Sequence, residues 1–568
     1  MVAMVAHAVL TASALDAPLP YDSIHTYLPL AKEVLGSGWP FFLAEQSMRV
    51  PPGAYLWPAL FGADAQTVRV ANVVLSSLVP LLLFDTGKVL HGRVAGLTAA
   101  WLYALSPMLR PLIPVVLAEP PFLAFTALWI WSLARLGSKQ AKFIALSAIG
   151  CSLSILTRPL WLYPALLSLP VLWFLSRRRS SDGSAALALR GNALGLIAPI
   201  LLIAFHGLYF HEMSISVGAG TALYYGNHPI TGGIDPPLML LNYDNAGADH
   251  LSLAGERGLR AISEDLVLSR SVADDVAFFA KKILYVLFFT PLDLAQGPAN
   301  DRSLRILELI LAGVGFWACR RHLVAWLLAA GVVLQTGQLM PLLYTQRYSI
   351  GALELPLIIL AGVGFAVLGE SLAGEASGRP RLSRWWVLTM LGATIAAVAA
   401  GNVLRQIALP EPALTGYPSQ VLLDLVPAAG AWTALPDGRQ QLDVDIPALT
   451  VPAWRNLIWD VRMSVSSAGG TECRHATLIF ARQPSTEVPG GGEVGIRIVA
   501  DGSERHYAVG AARDVSPVSP AAPGVLRLRL DCGQNAVATG LGIRLIESQI
   551  YEYYDDFLVR RLGRAGGN

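Results

Sequence analysis

Long apolar runs separated by short polar ones fill the first two thirds of the chain. Runs near the ~20 residues that a bilayer-crossing helix needs fall at 66–87, 94–109, 118–136, 141–157, 160–176, 192–211, 304–319, 323–343, 349–369 and 385–404. Residues 1–15 are apolar but short. They read either as a short first helix or as part of a helix that starts upstream, and they lack the pattern of a cleavable signal peptide. Basic loops orient the set. Lys88…Arg93, Arg135…Lys142 and Arg177-Arg178-Arg179 follow alternate helices, so these loops read as cytoplasmic. Arg320-Arg321-His322 and Arg379…Arg384 join them only if 278–296, with its paired Lys281 and Lys282 and its Pro291, does not fully cross. That segment reads as an interfacial or re-entrant helix. About eleven spans result, with the N-terminus inside and the C-terminus outside. The outer face then receives 16–65, 110–117, 212–300, 344–348 and the turn Thr157-Arg158-Pro159. The two long loops, 16–65 and 212–300, are of a length that usually carries function.

After Arg405 the pattern changes. Residues 410–568 are rich in Pro and Gly, and short alternating runs appear at 441–446, 458–463, 476–480, 494–499 and 525–530. Period-two runs between turn signals predict a β-sandwich. The chain therefore divides into a helical membrane domain, 1–405, and an extracytoplasmic β-sandwich domain, 406–568. The fold class is mainly α, polytopic in the membrane, with a C-terminal β-sandwich. An oxidising outer compartment permits a Cys473–Cys532 bridge, whereas Cys151 and Cys319 lie in or beside apolar runs.

Composition agrees with the pattern. Of 568 residues, 54% are hydrophobic and 14% charged, and mean hydropathy is +0.50. A soluble domain carries ~25% charged residues, so the chain is read as an integral membrane protein. A net charge of +2 gives no reason to invoke nucleic acid. Arginines far outnumber the six lysines. The planar guanidinium suits phosphate, although genome-wide base composition produces the same bias.

One short polar island, Tyr21-Asp22-Ser23-Ile24-His25-Thr26-Tyr27, follows the first apolar segment. An acid just outside a membrane segment suits a base or a metal ligand, and a solvated loop aspartate is the plainer alternative. Further motifs follow in order: Arg49-Val50-Pro51-Pro52-Gly53-Ala54-Tyr55, Leu117-Ala118-Glu119-Pro120-Pro121-Phe122, Thr157-Arg158-Pro159, Tyr225-Gly226-Asn227-His228-Pro229 and Arg347-Tyr348. Together with Asp22…Tyr27…Ala31 this order resembles the GT-C integral-membrane glycosyltransferases that use polyprenyl-phosphate sugars. Those comprise the protein mannosyltransferase and aminoarabinose transferase kinds, and the resemblance covers roughly residues 16–370.

The resemblance implies transfer of a sugar from a polyprenyl-phosphate donor to an envelope glycan, lipid or protein acceptor on the outer face, with inversion. In a bacterial inner membrane the carrier would be undecaprenyl phosphate. The family often has a second carboxylate beside the first, where this chain has Ser23. That departure leaves the cofactor, a divalent metal included, unassigned.

The chemistry explains the residue types. Breaking a sugar–phosphate bond builds oxocarbenium character at the anomeric carbon and negative charge on the departing phosphate. A carboxylate serves as base for the acceptor, and arginine holds phosphate bidentately. Asp22 is the expected base. Arg158 and Arg347 are the expected phosphate clamps, with Arg49 and Arg110 as weaker candidates. Helix-end arginines also snorkel, so sequence leaves both roles open. Glu119 begins a helix, where an acid also complements the dipole; substrate binding is the expectation. Asn227, His228 and Tyr348 complete the expected substrate-binding set, although 227–229 also reads as a structural turn.

Two rival classes remain. A transporter or lipid flippase would place ionisable residues at helix centres, for which Asp85 is the feature in favour. A non-catalytic scaffold would leave the outer Asp and Arg set unexplained.

Overall fold

A computed structural model of the chain describes residues 1–15, 19–20, 22–138, 140–177, 183–227, 252–268, 271–289, 301–373, 392 and 396. In the C-terminal part it describes 419–426, 432–436, 439–446, 457–467, 475–481, 494–496, 501–510, 524–531 and 536–548. Its helices, in chain order, are α1 (Val2–Ala12), α2 (Leu28–Ser37), α3 (Pro52–Ala59), α4 (Ala65–Leu90), α5 (Arg93–Leu105), α6 (Glu119–Arg135), α7 (Ala141–Thr157) and α8 (Leu162–Arg177). They continue with α9 (Ser184–Tyr209), α10 (Ala219–Asn227), α11 (Leu253–Leu268), α12 (Val272–Phe288), α13 (Asp301–Cys319), α14 (Leu323–Leu339) and α15 (Gln346–Ala373). The apolar runs became helices because hydrocarbon leaves the backbone no partner but itself.

Four stretches, Ala65–Leu90, Pro159–Arg177, Ser184–Tyr209 and Gln346–Leu372, are long and apolar enough to cross a membrane. Val2–Ala12, Ala141–Thr157 and Leu323–Leu339 are shorter apolar helices. With the overall hydropathy, they make this an integral membrane protein. The thirteen residues of α5 rise only ~20 Å, less than the ~30 Å hydrocarbon core. The segment 385–404 lies outside the described residues apart from 392 and 396.

The chain divides into two units. One comprises Met1–Gly218, Val276–Thr290 and Pro298–Gln406; the other comprises Ala219–Asp275, Pro291–Gly297 and Ile407–Asn568. In the first, α1 is tied to its neighbours through His7. Its Nε2 lies 2.9 Å from the Ser76 hydroxyl on α4, and its Nδ1 lies 3.4 Å from the Ala104 carbonyl on α5. Helices α13 and α15 approach through glycines. A Cβ added to Gly315 would meet the Leu360 carbonyl oxygen at 1.8 Å, and one on Gly364 would meet that of Leu311 at 2.0 Å. Small residues are what allow such close helix approach in a bilayer.

Residues 16–65, read from sequence as a long loop, are largely folded. A π-helical turn (Ser23–Tyr27) runs into α2, two 3-10 turns follow (Trp39–Leu43, Glu45–Met48), and α3 closes the segment. Leu30, Val34, Phe41 and Tyr55 form its core, with Phe41 and Tyr55 edge-to-face at 5.3 Å. The apolar residues here come in groups too short to span, so hydropathy alone does not reveal them. Helix α12 starts with Asp274 and Asp275 in its first turn and buries Lys282, whose Nζ donates to the Leu342 carbonyl at 2.5 Å. Residues 290–300 lie outside the described residues.

In the second unit, the buried Glu256 carboxylate on α11 accepts the Gly220 N–H at the start of α10 at 2.8 Å. The strands are β1 (Ser419–Leu425), β2 (Thr433–Ala434), β3 (Gln440–Ile446), β4 (Leu457–Ser467), β5 (His475–Ala481), β6 (Val494–Ile496), β7 (Asp501–Gly510), β8 (Gly524–Asp531) and β9 (Ala536–Ser548). They form a four-stranded sheet ordered β1-β9-β4-β7 and a five-stranded sheet ordered β2-β3-β8-β5-β6, antiparallel at every pairing.

Alternation sets the faces: Leu526, Leu528 and Leu530 are buried while Arg527 pairs Asp443 across the ladder at 2.7 and 3.0 Å. The five alternating runs of the sequence became β3, β4, β5, β6 and β8. Strands β1, β7 and β9 were not anticipated: β1 carries consecutive Val421-Leu422-Leu423, β7 is mostly polar, and β9 is broken by Gly540 and Gly542. Cys473 and Cys532 lie outside the described residues, and Cys151 and Cys319 are buried free thiols.

Candidate active site

Four segments of the first unit supply the charged groups. Asp22 is the N-cap of the π-helical turn. The next residue, Ser23, is buried and donates its hydroxyl proton to the Val116 carbonyl at 2.8 Å, which fixes the turn beside the approach to α6. Asn72 and Trp57 brace that approach: Asn72 Nδ2 donates to the Val115 carbonyl at 2.6 Å, and Trp57 Nε1 donates to Asn72 Oδ1 at 2.7 Å. Glu119 is the first residue of α6, ahead of Pro120-Pro121. Arg158 caps α7 with extended backbone, φ −148° and ψ 121°, because the following Pro159 disfavours the helical region. Arg347 and Tyr348 sit in the first turn of α15, where the Tyr348 N–H donates to Thr345 Oγ1 at 3.1 Å.

The side chains meet. Arg347 Nη1 donates to Asp22 Oδ2 at 2.9 Å, across 325 residues of sequence, and its Nε lies 3.0 Å from Glu119 Oε1. Arg158 Nη2 lies 3.1 Å from the same Glu119 oxygen. The Arg158 guanidinium sits 4.6 Å and that of Arg347 5.6 Å from the centre of the Tyr348 ring. Side-chain exposure is graded across the cluster: Glu119 0%, Arg158 10%, Arg347 26% and Asp22 39%. Two guanidiniums and two carboxylates balance in charge, as burial of Glu119 demands.

The Glu119 contacts satisfy ion-pair distances, yet among the described residues neither of its oxygens accepts an aligned hydrogen bond, and Arg158 Nη1 is buried without an acceptor. That Nη1 lies against α15 at Gly351, where an added Cβ would stand 3.3 Å from it. Tyr27 is buried behind the cluster. Burial first, and then the charge of Glu119, hold its phenol well above the usual range, so it stays neutral.

Arg49 is half-buried, following the 3-10 turn Glu45–Met48, and Arg110 is half-buried at the turn Arg110–Leu112. Asn227 is buried at the end of α10 in the second unit, with Nδ2 donating to the Leu223 carbonyl at 2.8 Å. His228 lies outside the described residues. Among the described residues no group of three His, Cys, Asp or Glu side chains is placed to hold a metal ion.

Sequence reasoning did not find Gly351, nor the part Ser23 plays in anchoring the turn. Asp85 is not an isolated membrane acid: it accepts from Trp131 Nε1 at 2.7 Å and Arg135 Nε at 2.6 Å. A second buried charge cluster was not anticipated. Arg305 Nη2 on α13 lies 2.6 Å from Glu354 Oε2 on α15, and its Nε lies 3.6 Å from Glu308 Oε2.

Residues 54–203 match the family model described as dolichyl-phosphate-mannose-protein mannosyltransferase. This stretch holds Glu119 and Arg158 and excludes Asp22 and Arg347. Over it the chain is similar to GT-C membrane glycosyltransferases, as its motif order implied.

Among individual relatives, the undecaprenyl phosphate-alpha-4-amino-4-deoxy-L-arabinose arabinosyl transferase of Pseudomonas aeruginosa PAO1 is 29% identical over 169 residues, 27% of this chain and 31% of that protein. The Pseudomonas paraeruginosa PA7 protein of the same description is 30% identical over 171 residues, again 27% and 31%. The chain thus spans less than a third of the length of these relatives. Among solved structures, the archaeal oligosaccharyltransferase AglB of Archaeoglobus fulgidus, in complex with an inhibitory peptide and a dolichol-phosphate, aligns at a TM-score of 0.39. Its identity is 12%, over 71% of this chain and 55% of that one.

Proposed function

We propose that the chain is a membrane glycosyltransferase that moves one sugar from a polyprenyl-phosphate donor to an acceptor on the extracytoplasmic side, with inversion. The observation that carries this reading is the meeting of Asp22, Glu119, Arg158 and Arg347 from four distant segments. In the proposed step an acceptor O–H or N–H attacks the anomeric carbon. The bond from that carbon to the phosphate oxygen breaks, and its electron pair leaves on polyprenyl phosphate. Asp22 takes the acceptor proton. Arg158, whose buried Nη1 lacks an acceptor among the described residues, and Arg347 hold the phosphate as its charge grows. Glu119 keeps both guanidiniums in place.

Arg49, Asn227, His228 and Tyr348 are assigned to substrate binding on the motif resemblance. The same reading places about eleven spans in a bacterial inner membrane, puts the cluster and the C-terminal sheets outside, closes those sheets into a sandwich, and takes undecaprenyl phosphate as the carrier. Envelope glycan, lipid and protein remain the acceptor classes.

The test is purified protein reconstituted with undecaprenyl-phosphate sugars and an envelope-lipid extract. Asp22→Asn keeps the shape but cannot take the proton, so transfer is expected to vanish while undecaprenyl phosphate still binds. Full transfer by Asp22→Asn would remove the base.

The rival reading as a lipid-linked glycan flippase draws on the buried Arg305, Glu308 and Glu354. It predicts lipid translocation in vesicles that is insensitive to Asp22→Asn.

A further inference from the structure

The geometry points to a competition: we propose that Asp22 and the donor phosphate take the same edge of Arg347, so that donor binding is what releases the base. This rests on the reading above and adds an order of events to it. Arg347 has two carboxylate partners of unlike standing. Glu119 is fully buried and holds both Arg347 and Arg158 at one oxygen, Oε1, so parting it from Arg347 strips a contact that water cannot replace. Breaking such a pair is costly. Asp22 is more than a third exposed, and among the described residues Arg347 is its ion-pair partner at 2.9 Å. A pair that water reaches in this way contributes less than a buried one. The arm that yields is therefore the one to Asp22.

An arriving phosphate offers several acceptor oxygens to a planar fork and holds it bidentately. The Arg158 Nη1, which lacks an acceptor among the described residues, supplies a second anchor for the same group. Tyr348 lies against both guanidiniums and keeps them at one place while the partner changes. Once displaced, Asp22 is a carboxylate without a cation, next to a sugar whose anomeric carbon is becoming positive and an acceptor with a proton to lose. The donor enters first because it makes the base available. Asp22 in turn covers the clamp when no donor is bound.

The measurement is equilibrium binding of undecaprenyl phosphate to the full chain in nanodiscs, with thermal midpoints recorded for every variant. Wild type is expected to bind, and Asp22→Asn to bind roughly three- to tenfold more tightly, since the lipid no longer displaces a carboxylate. Arg347→Gln is expected to weaken binding, and adding Asp22→Asn to it should recover nothing. Recovery there would overturn the proposal, because the gain would come from background charge rather than from Arg347. Unchanged or weaker binding by Asp22→Asn overturns it as well, while leaving the transferase reading intact. Absence of lipid binding in folded wild type removes the transferase reading itself. Inorganic phosphate should not bind at the lipid's concentrations; equal affinity would overturn the assignment of the ligand to a lipid head group.

Discussion

Truncating Arg305 to alanine should destabilise the helical unit by about 3–5 kcal/mol, the cost of leaving a buried charge without its partner. The guanidinium is fully buried, 2.6 Å from the fully buried Glu354 carboxylate and 3.6 Å from Glu308. It also lies 4.8 Å from the centre of the Phe289 ring, a contact worth ~0.5–2 kcal/mol that is counted inside that total. Glu354→Gln keeps an acceptor and should cost about 1–3 kcal/mol. Replacing the closer pair by apolar residues, Arg305→Met with Glu354→Leu, should recover part of the loss, because Glu308 then loses its contact with Arg305.

Thermal unfolding in one fixed detergent, read by a thiol-reactive dye as buried Cys151 and Cys319 become accessible, measures all three. At ~2 °C per kcal/mol for a large domain, Arg305→Ala should lower the midpoint by roughly 6–10 °C. An unchanged midpoint in Arg305→Ala would refute the reasoning. A double variant worse than either single one would show that the pair does more than neutralise itself.

Gly315→Val should push α13 from α15, because its Cβ has only 1.8 Å to the Leu360 carbonyl oxygen; overpacking costs about 1–3 kcal/mol or more, read as a lower midpoint in the same assay. Asp64 caps α4, and the Thr67 backbone amide and then its hydroxyl hold the carboxyl below its ordinary range. A depressed folded value means the stabilisation is present above the unfolded value and lost as pH falls through the folded one. The midpoint should therefore drop below about pH 4 in wild type and drop less in Asp64→Asn; identical curves would deny the cap a role. The Cys473–Cys532 bridge is expected to appear as a linked peptide in non-reduced digests, with ~4 kcal/mol of stabilisation in the chain-entropy model, and free thiols at both positions would end that idea.

Local pattern determined many, though not all, of the stretches of this chain that become helices and strands. Hydropathy located α4, α7, α9 and α15 because a helix in hydrocarbon needs only its own backbone and an apolar surface. Alternation located β3, β4 and β8 because one face of each is buried. It was silent on β1, β7 and β9, where the pattern lapses and neighbouring strands supply the pairing. A single dipeptide, Arg158-Pro159, sets the backbone that turns Arg158 out of α7.

Tertiary structure decided the rest. Sequence marked Asp22, Glu119, Arg158 and Arg347 as chemically apt residues, and Glu119 among them as a substrate contact. Only the fold shows Glu119 fully buried between two arginines and Arg347 shared by two acids. Nothing local distinguishes Arg305 and Glu354 from other helix charges, because α15 and α13 meet through glycines far along the chain. Periodicity reports the face a residue occupies. Which charge neutralises which depends on side chains brought within a few ångströms across hundreds of residues, where burial makes an unpaired charge too costly to keep.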